Sequence, residues 1–284
     1  MNATLNDSAF FVVNNSRRLM RYRAEATSLT GFVQQIACCY LRHGYWFYVT
    51  GHVPPGKDLR AIDRKLISKY GIGVSESTRS RRKRLGQSNL QYLRHDRLFV
   101  LMATKGQHEF FDLESRSIHD IRHIPLKYRG YSISYRRGGR TRSGERDAKW
   151  HAHVEIERGH YLELKAWLLD MAMHRSVERL AMDFYRLPFE PYAPVRRQML
   201  NLLRSVNRVR RKAGFQPVPV EVLPLRRRIV RPFGGNAGID HLIKVAAVIP
   251  EDNTIQEPSA APSQSKGVSA LQRSQSTQLD SSSK

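Results

Sequence analysis

Up to about residue 157 the hydrophobic positions of this chain fall mostly in short runs or alternate with polar ones, and beyond it they follow a helical period. Residues 45–51 (YWFYVTG) are aromatic and β-branched, the pattern of a buried strand, and Pro54-Pro55-Gly56 breaks it. Asp58 then caps a predicted helix carrying Leu59, Ile62, Leu66, Ile67 and Tyr70, with Gly71 at its stop. Residues 90–94 and 98–103 read as two strands turning at His95-Asp96-Arg97, and 109–113 as a further strand. Residues 131–136 (YSISYR) and 150–157 (WHAHVEIE) read as the arms of a long hairpin whose loop, RGGRTRSGERDAK, mixes glycines with bases.

In the second part, Leu162, Leu164, Trp167, Leu168 and Met171 mark one helix, and Val177, Leu180, Ala181 and Phe184 a second. A third begins at Pro194, because the missing proline amide costs nothing in a first helical turn. It carries Val195, Met199, Leu202, Leu203, Val206 and Val209 on one stripe and stops at Gly214. Residues 216–235 are punctuated by proline and read as an extended surface segment. The expectation is an α+β fold, with a mixed or antiparallel sheet followed by a helical C-terminal part. It divides into a lead-in over 1–40, a sheet domain over 41–158, a helical basic region packed on the sheet over 159–250, and a tail over 251–284. The tail is rich in Ser, Gln, Pro and Ala, and such a composition predicts disorder.

Charge changes the picture most. The 284 residues include 48 Lys+Arg against 25 Asp+Glu, a formal net charge of +23, and arginine outnumbers lysine 36 to 12. Such a field repels itself and favours a polyanion partner, nucleic acid first, since the guanidinium fork suits phosphate and guanine edges. The tail beyond Glu251 carries both signs, so the excess belongs to the folded part. The start, MNATLNDSAFFVVNN, lacks the basic stretch of a signal peptide, and no window reaches the ~18 apolar residues of a membrane span. Cys38 and Cys39 are adjacent, a poor geometry for a disulfide, and no second pair exists for a zinc site. A cytoplasmic protein with no membrane partner follows. Its oligomeric state is not legible.

The bases cluster. On the Pro194 helix, Arg196, Arg197, Arg204, Arg208, Arg211 and Lys212 lie away from the apolar stripe, and the helix contains no acid. An ordinary solvated face would mix signs. Arg226, Arg227 and Arg228 follow in the extended segment. A second patch is Arg79, Arg81, Arg82, Lys83 and Arg84. A third surrounds the hairpin loop, with Arg136, Arg137, Arg140, Arg142, Arg146 and Lys149. The nearby Tyr128, Tyr131 and Tyr135 alternate on one strand face and are candidates for base stacking. Arg17, Arg18, Arg21 and Arg23 make the lead-in basic, as a short helix or an arm that folds on phosphate.

Strand alternation over 150–157 sends His151, His153, Glu155 and Glu157 to one side and Trp150, Ala152, Val154 and Ile156 to the other. Two imidazoles on one strand face can share a divalent metal, with Glu155 as a third candidate ligand. His151-Ala152-His153 resembles the His-hydrophobic-His motif of HUH-type single-strand nucleases: rolling-circle replication initiators, relaxases and single-tyrosine transposases. The resemblance implies Mg or Mn on that pair, polarisation of a scissile phosphate, and a tyrosine nucleophile. Tyr185 and Tyr161 are the candidates. Ala152 is smaller than the family's usual residue, and the segment YLELK after Tyr161 places its lysine one residue late. A competing nuclease reading takes Glu163-Leu164-Lys165 as E-x-K with Asp147 or Glu155. No phosphate-loop or dinucleotide fingerprint is present, and no cofactor is otherwise implied. Three functions stay open: a DNA- or RNA-binding protein using Arg-rich patches, an HUH-type nicking enzyme of plasmid or mobile-element replication, and a scaffold for an acidic protein.

Overall fold

The computed structural model describes residues 22–138, 143–145 and 147–233. All of them belong to the unit Met1–Leu242. Arg17, Arg18, Arg21, Arg140, Arg142, Arg146 and the tail lie outside the described residues.

A helix that the pattern reading leaves in the lead-in opens the fold. Ser28 accepts a hydrogen bond from the Gly31 amide at 3.1 Å and caps α1 (Leu29–Gln34). The chain continues through a π turn over Gln35–Tyr40 and a 3-10 turn over Leu41–His43, and ends at Gly44 with φ of 89°. Phe32, Val33, Ile36, Ala37, Tyr40 and Leu41 bury one side of this stretch. Their spacing is helical, so the signal was present in the sequence.

β1 (Tyr45–His52), β2 (Leu90–His95), β3 (Leu98–Thr104) and the short β4 (His119–Asp120) form an antiparallel sheet in the order β2-β3-β1-β4. β2 and β3 turn at Asp96, whose φ of 52° suits a short polar side chain. β5 (Leu126–Tyr128), β6 (Tyr131–Arg137) and β7 (Trp150–Ile156) form a second antiparallel sheet in that order. Arg129 and Gly130, with φ of 46° and 79°, make the tight turn between β5 and β6. The sheets meet at Ile121, whose amide donates to Trp46 O at 2.9 Å and whose carbonyl accepts from Tyr135 N at 3.3 Å.

α1 and its continuation cover one face of both sheets. α2 (Leu59–Lys69) packs against the other face of the first sheet, capped by Asp58 as its sequence predicts. The basic run Glu76–Arg84 is itself helix α3, capped by Ser75. Residues 109–113 are not a strand. Phe110–Leu113 form one helical turn, α4, which puts Phe110 edge-on against Tyr70 at 5.6 Å. A five-residue segment with Phe110, Phe111 and Leu113 as its apolar positions is too short to carry a period that could separate the two.

α5 (Arg158–His174), α6 (Val177–Tyr185) and α7 (Ala193–Lys212) enclose a separate core around Leu168, Leu180, Phe184, Met199 and Val206, to which β7 contributes Ile156. The fold is therefore α+β, with antiparallel sheets and a helical part after them. The β7 edge is closed by a side chain. The Gln198 carboxamide accepts from Ile156 N at 2.7 Å and donates to Ile156 O at 2.9 Å, as a neighbouring strand would. Asn207 grips Val218 in the same two-bond way, and Gln34 grips Val230, so the Pro-rich segment is fixed along its length. Among the described residues no helix is long and apolar enough to cross a membrane.

Candidate nucleic-acid interface

The apolar stripe of α7 decides where its cations go. Val195, Met199, Leu202, Leu203 and Val206 are buried, which turns Arg196, Arg197, Arg204, Arg208, Arg211 and Lys212 to solvent. None of these six is ion-paired among the described residues. Arg204 reaches only Asn201 Oδ1 at 3.4 Å, and Arg196 only the Leu225 carbonyl at 3.5 Å. Elsewhere exposed or half-buried arginines do find acids: Arg122 with Asp120, Arg129 with Asp96, Arg175 with Asp183. Between α7 and Val220 runs a groove of about 580 Å³, lined on the α7 side by Arg204, Arg208, Arg211 and Lys212.

Arg210, in the same helix, is turned inward and only 3 % exposed. Its guanidinium donates to Ala172 O (2.7 Å), Arg175 O (2.9 Å) and Gln216 O (2.7 Å). It closes the C-terminus of α5, where a cation suits the helix dipole. A sequence reading that counts bases cannot separate this structural arginine from its exposed neighbours.

The hairpin patch adjoins α7. Burial pushes the His153 imidazole below its ordinary pKa, Glu155 pulls against that, and Arg136 from β6 and Arg197 from α7 push it further down. One histidine thus senses cations from both elements. Arg136 lies 3.7 Å from Glu155, while Arg137 is exposed without a carboxylate partner among the described residues. Of the three candidate stacking tyrosines, Tyr135 is half-buried on the opposite face of β6, across from Ala152. Tyr131 is buried, accepting from Glu190 N at 2.7 Å, and Tyr128 is held by His95 at 2.9 Å.

Arg226 and Arg228 are exposed in the middle of the extended segment, and the Arg228 amide donates to Glu190 at 3.2 Å. Arg227 is half-buried over the Tyr192 ring, 5.0 Å from its centroid, and 3.5 Å from Cys38 Sγ. It is a packing residue rather than a free cation. The α3 patch sits apart, beside the β2 edge of the first sheet. Arg82 donates to Gly71 O at 3.2 Å, and the Arg79 carbonyl accepts from Asn89 at 2.9 Å. Arg79 lines a cavity with Tyr22, Tyr40 and Arg23, which leaves Arg81, Lys83 and Arg84 as that patch's exposed face.

His151, His153 and Glu155 share the polar face of β7, but among the described residues no group of three or more His, Cys, Asp or Glu is placed to hold a metal. His151 Nε2 is bonded to Asp147 at 2.8 Å, and His153 Nδ1 is buried with no hydrogen-bond partner, 3.9 Å from Glu155. The tyrosines fall elsewhere. Tyr185 is exposed at the end of α6, and Tyr161 packs half-buried on the helical core, where burial raises its phenol pKa. Neither is bonded to a histidine among the described residues. Glu163 and Lys165 lie inside α5, so the E-x-K reading lacks its strand.

No family model, curated protein or solved structure matches this chain.

Proposed function

We propose that this protein binds nucleic acid, DNA or RNA, through the cationic face of α7 continued onto the β6–β7 hairpin. The observation that carries the reading is the set of six exposed cations on one acid-free helix, none of them ion-paired among the described residues, with Arg136 of β6 and Arg197 of α7 both acting on His153. Unpaired side-chain cations on a rigid helix are already stripped of competing carboxylates, so phosphate binding requires no ion pair to break. The reading includes a cytoplasmic location, in keeping with two free cysteines.

The test is a titration of the purified protein with single- and double-stranded DNA and RNA at increasing salt, with polyglutamate as a control polyanion. Log K falling linearly with log salt by several units, with nucleic acid preferred to polyglutamate, is the expected result. Salt-independent binding, or equal affinity for polyglutamate, would overturn it and favour an acidic protein partner.

A further inference from the structure

We propose that the end of the second sheet is a stacking platform for an unpaired base of a single-stranded polynucleotide, with Trp150 as its outer ring; this rests on the nucleic-acid reading above. Three aromatic side chains from three strands lie in a row. Trp46 of β1 and Tyr135 of β6 have ring centroids 6.0 Å apart and planes 24° apart. Tyr135 and Trp150 of β7 are 5.8 Å and 20° apart. The register builds the row. Ile121 bonds Trp46 O and Tyr135 N and so aligns the two sheets. Ala152 stands directly opposite Tyr135, and its small side chain leaves room for Trp150 to lean across the diagonal.

An arginine closes each end of the row, and the two differ. Arg122 lies 4.6 Å from the Trp46 ring centroid and is locked by Asp120, with Nε at 2.9 and 3.0 Å and Nη2 at 2.6 Å. Arg137 lies 5.8 Å from the Trp150 ring, with no hydrogen bond or carboxylate among the described residues. The inner end is fixed and the outer end is free. Trp150 is 39 % exposed, an unusual state for a tryptophan on a strand whose other apolar residues are covered.

The charge around this ring selects the occupant. Arg137 and Lys149 flank Trp150. A nucleobase can take the place of the Arg137 guanidinium on the indole, and Arg137 can then turn to the adjoining phosphate. Stacking is sequence-tolerant because every base has a π face, but it requires a base outside a duplex. The platform therefore binds single strands, while α7, a purely cationic face, serves both forms.

The experiment compares the full chain with Trp150→Ala and Trp150→Phe on a short mixed-sequence DNA single strand and on its duplex across a series of salt concentrations. Trp150→Ala should weaken single-strand binding about tenfold, as loss of one base–aromatic stack does. Duplex affinity and the single-strand salt slope should be unchanged, and Trp150→Phe should keep most of the single-strand affinity. Thermal melting of both variants checks that the exposed site has not altered the fold. If Trp150→Ala leaves single-strand binding intact, or weakens duplex binding equally, the platform is wrong and the α7 reading stands. If the parent binds neither of these DNAs nor the matching RNA strand, both readings fall.

Discussion

Asp63 and Arg94 join α2 to β2 through a buried, two-pronged ion pair. Arg94 is 1 % exposed; its Nε lies 2.9 and 3.1 Å from the two Asp63 oxygens, and its Nη2 lies 3.0 Å from Oδ2. The Tyr92 hydroxyl also donates to Asp63, Arg94 Nη1 donates to the Asp96 carbonyl at 2.7 Å, and Glu25 stands 3.3 Å away. Each polar atom of the guanidinium thus faces an acceptor, the condition under which a buried charge is tolerated.

Removing one side of this pair should be severe. Asp63→Ala leaves the Arg94 cation buried with only the Asp96 carbonyl and a half-exposed Glu25, and should cost about 3–5 kcal/mol in chemical denaturation. The double change Asp63→Leu with Arg94→Met should recover a large part of that loss. A double variant as unstable as Asp63→Ala alone would show that the pair is not the source of the cost.

Such pairs mark the limit of what the sequence discloses. Strands at 45–51, 90–94, 98–103, 131–136 and 150–157, and the helices capped by Asp58 and started at Pro194, are legible because side chains one or two periods apart report one environment. The outward face of α7 is legible for the same reason. Arg94 and Arg210 are not, because burial of a single charged residue depends on which distant segment supplies its acceptor. The surroundings of His151 and His153 are hidden in the same way: alternation puts both on one face, yet Arg136 and Arg197 reach His153 only through tertiary structure. The aromatic row joins residues as distant as Trp46 and Trp150, so no local pattern could disclose it.

Arg210 offers a second test of the division between structural and binding cations. Arg210→Met should destabilise the fold by about 1–3 kcal/mol, since three helix-end and loop carbonyls lose their donor. Arg210→Lys should not restore it, because an ammonium cannot reproduce the planar fork. Nucleic-acid affinity, measured below the melting temperature, should be unaltered. A drop in affinity with unchanged stability would reverse the assignment.

Glu157 should govern part of the acid limb of stability. It caps α5, accepting from Gly159 N at 2.7 Å and His160 N at 3.2 Å, and its other oxygen meets Lys127 at 2.8 Å. The Lys127 ammonium and these amides lower its carboxyl from an ordinary 4.5 to about 2. A folded pKa below the unfolded one gives stability that is complete above about 4.5 and lost as pH falls towards 2. Glu157→Gln removes that titration. Denaturation midpoints followed through this window should therefore fall less steeply in the variant, while parallel curves would refute the role.

The last prediction separates a shaped interface from a merely basic protein. Arg197, Arg204 and Arg208 lie on the acid-free face of α7; Arg81, Lys83 and Arg84 lie exposed on α3, at the β2 edge of the other sheet. Each triple change to glutamine removes the same formal charge, so any effect of net charge alone is matched. If phosphates dock on α7, the first triple should flatten the duplex salt dependence by about 2–3 units of slope, one unit for each phosphate no longer neutralised, and should weaken all sequences alike. The second triple should change affinity only through the long-range field, an effect that fades above about 0.15 M salt, where the Debye length is near 8 Å. Both sets project into solvent, so thermal midpoints should stay close to the parent's. Equal losses from the two triples, at every salt concentration, would mean that total charge and not the α7 face holds the ligand.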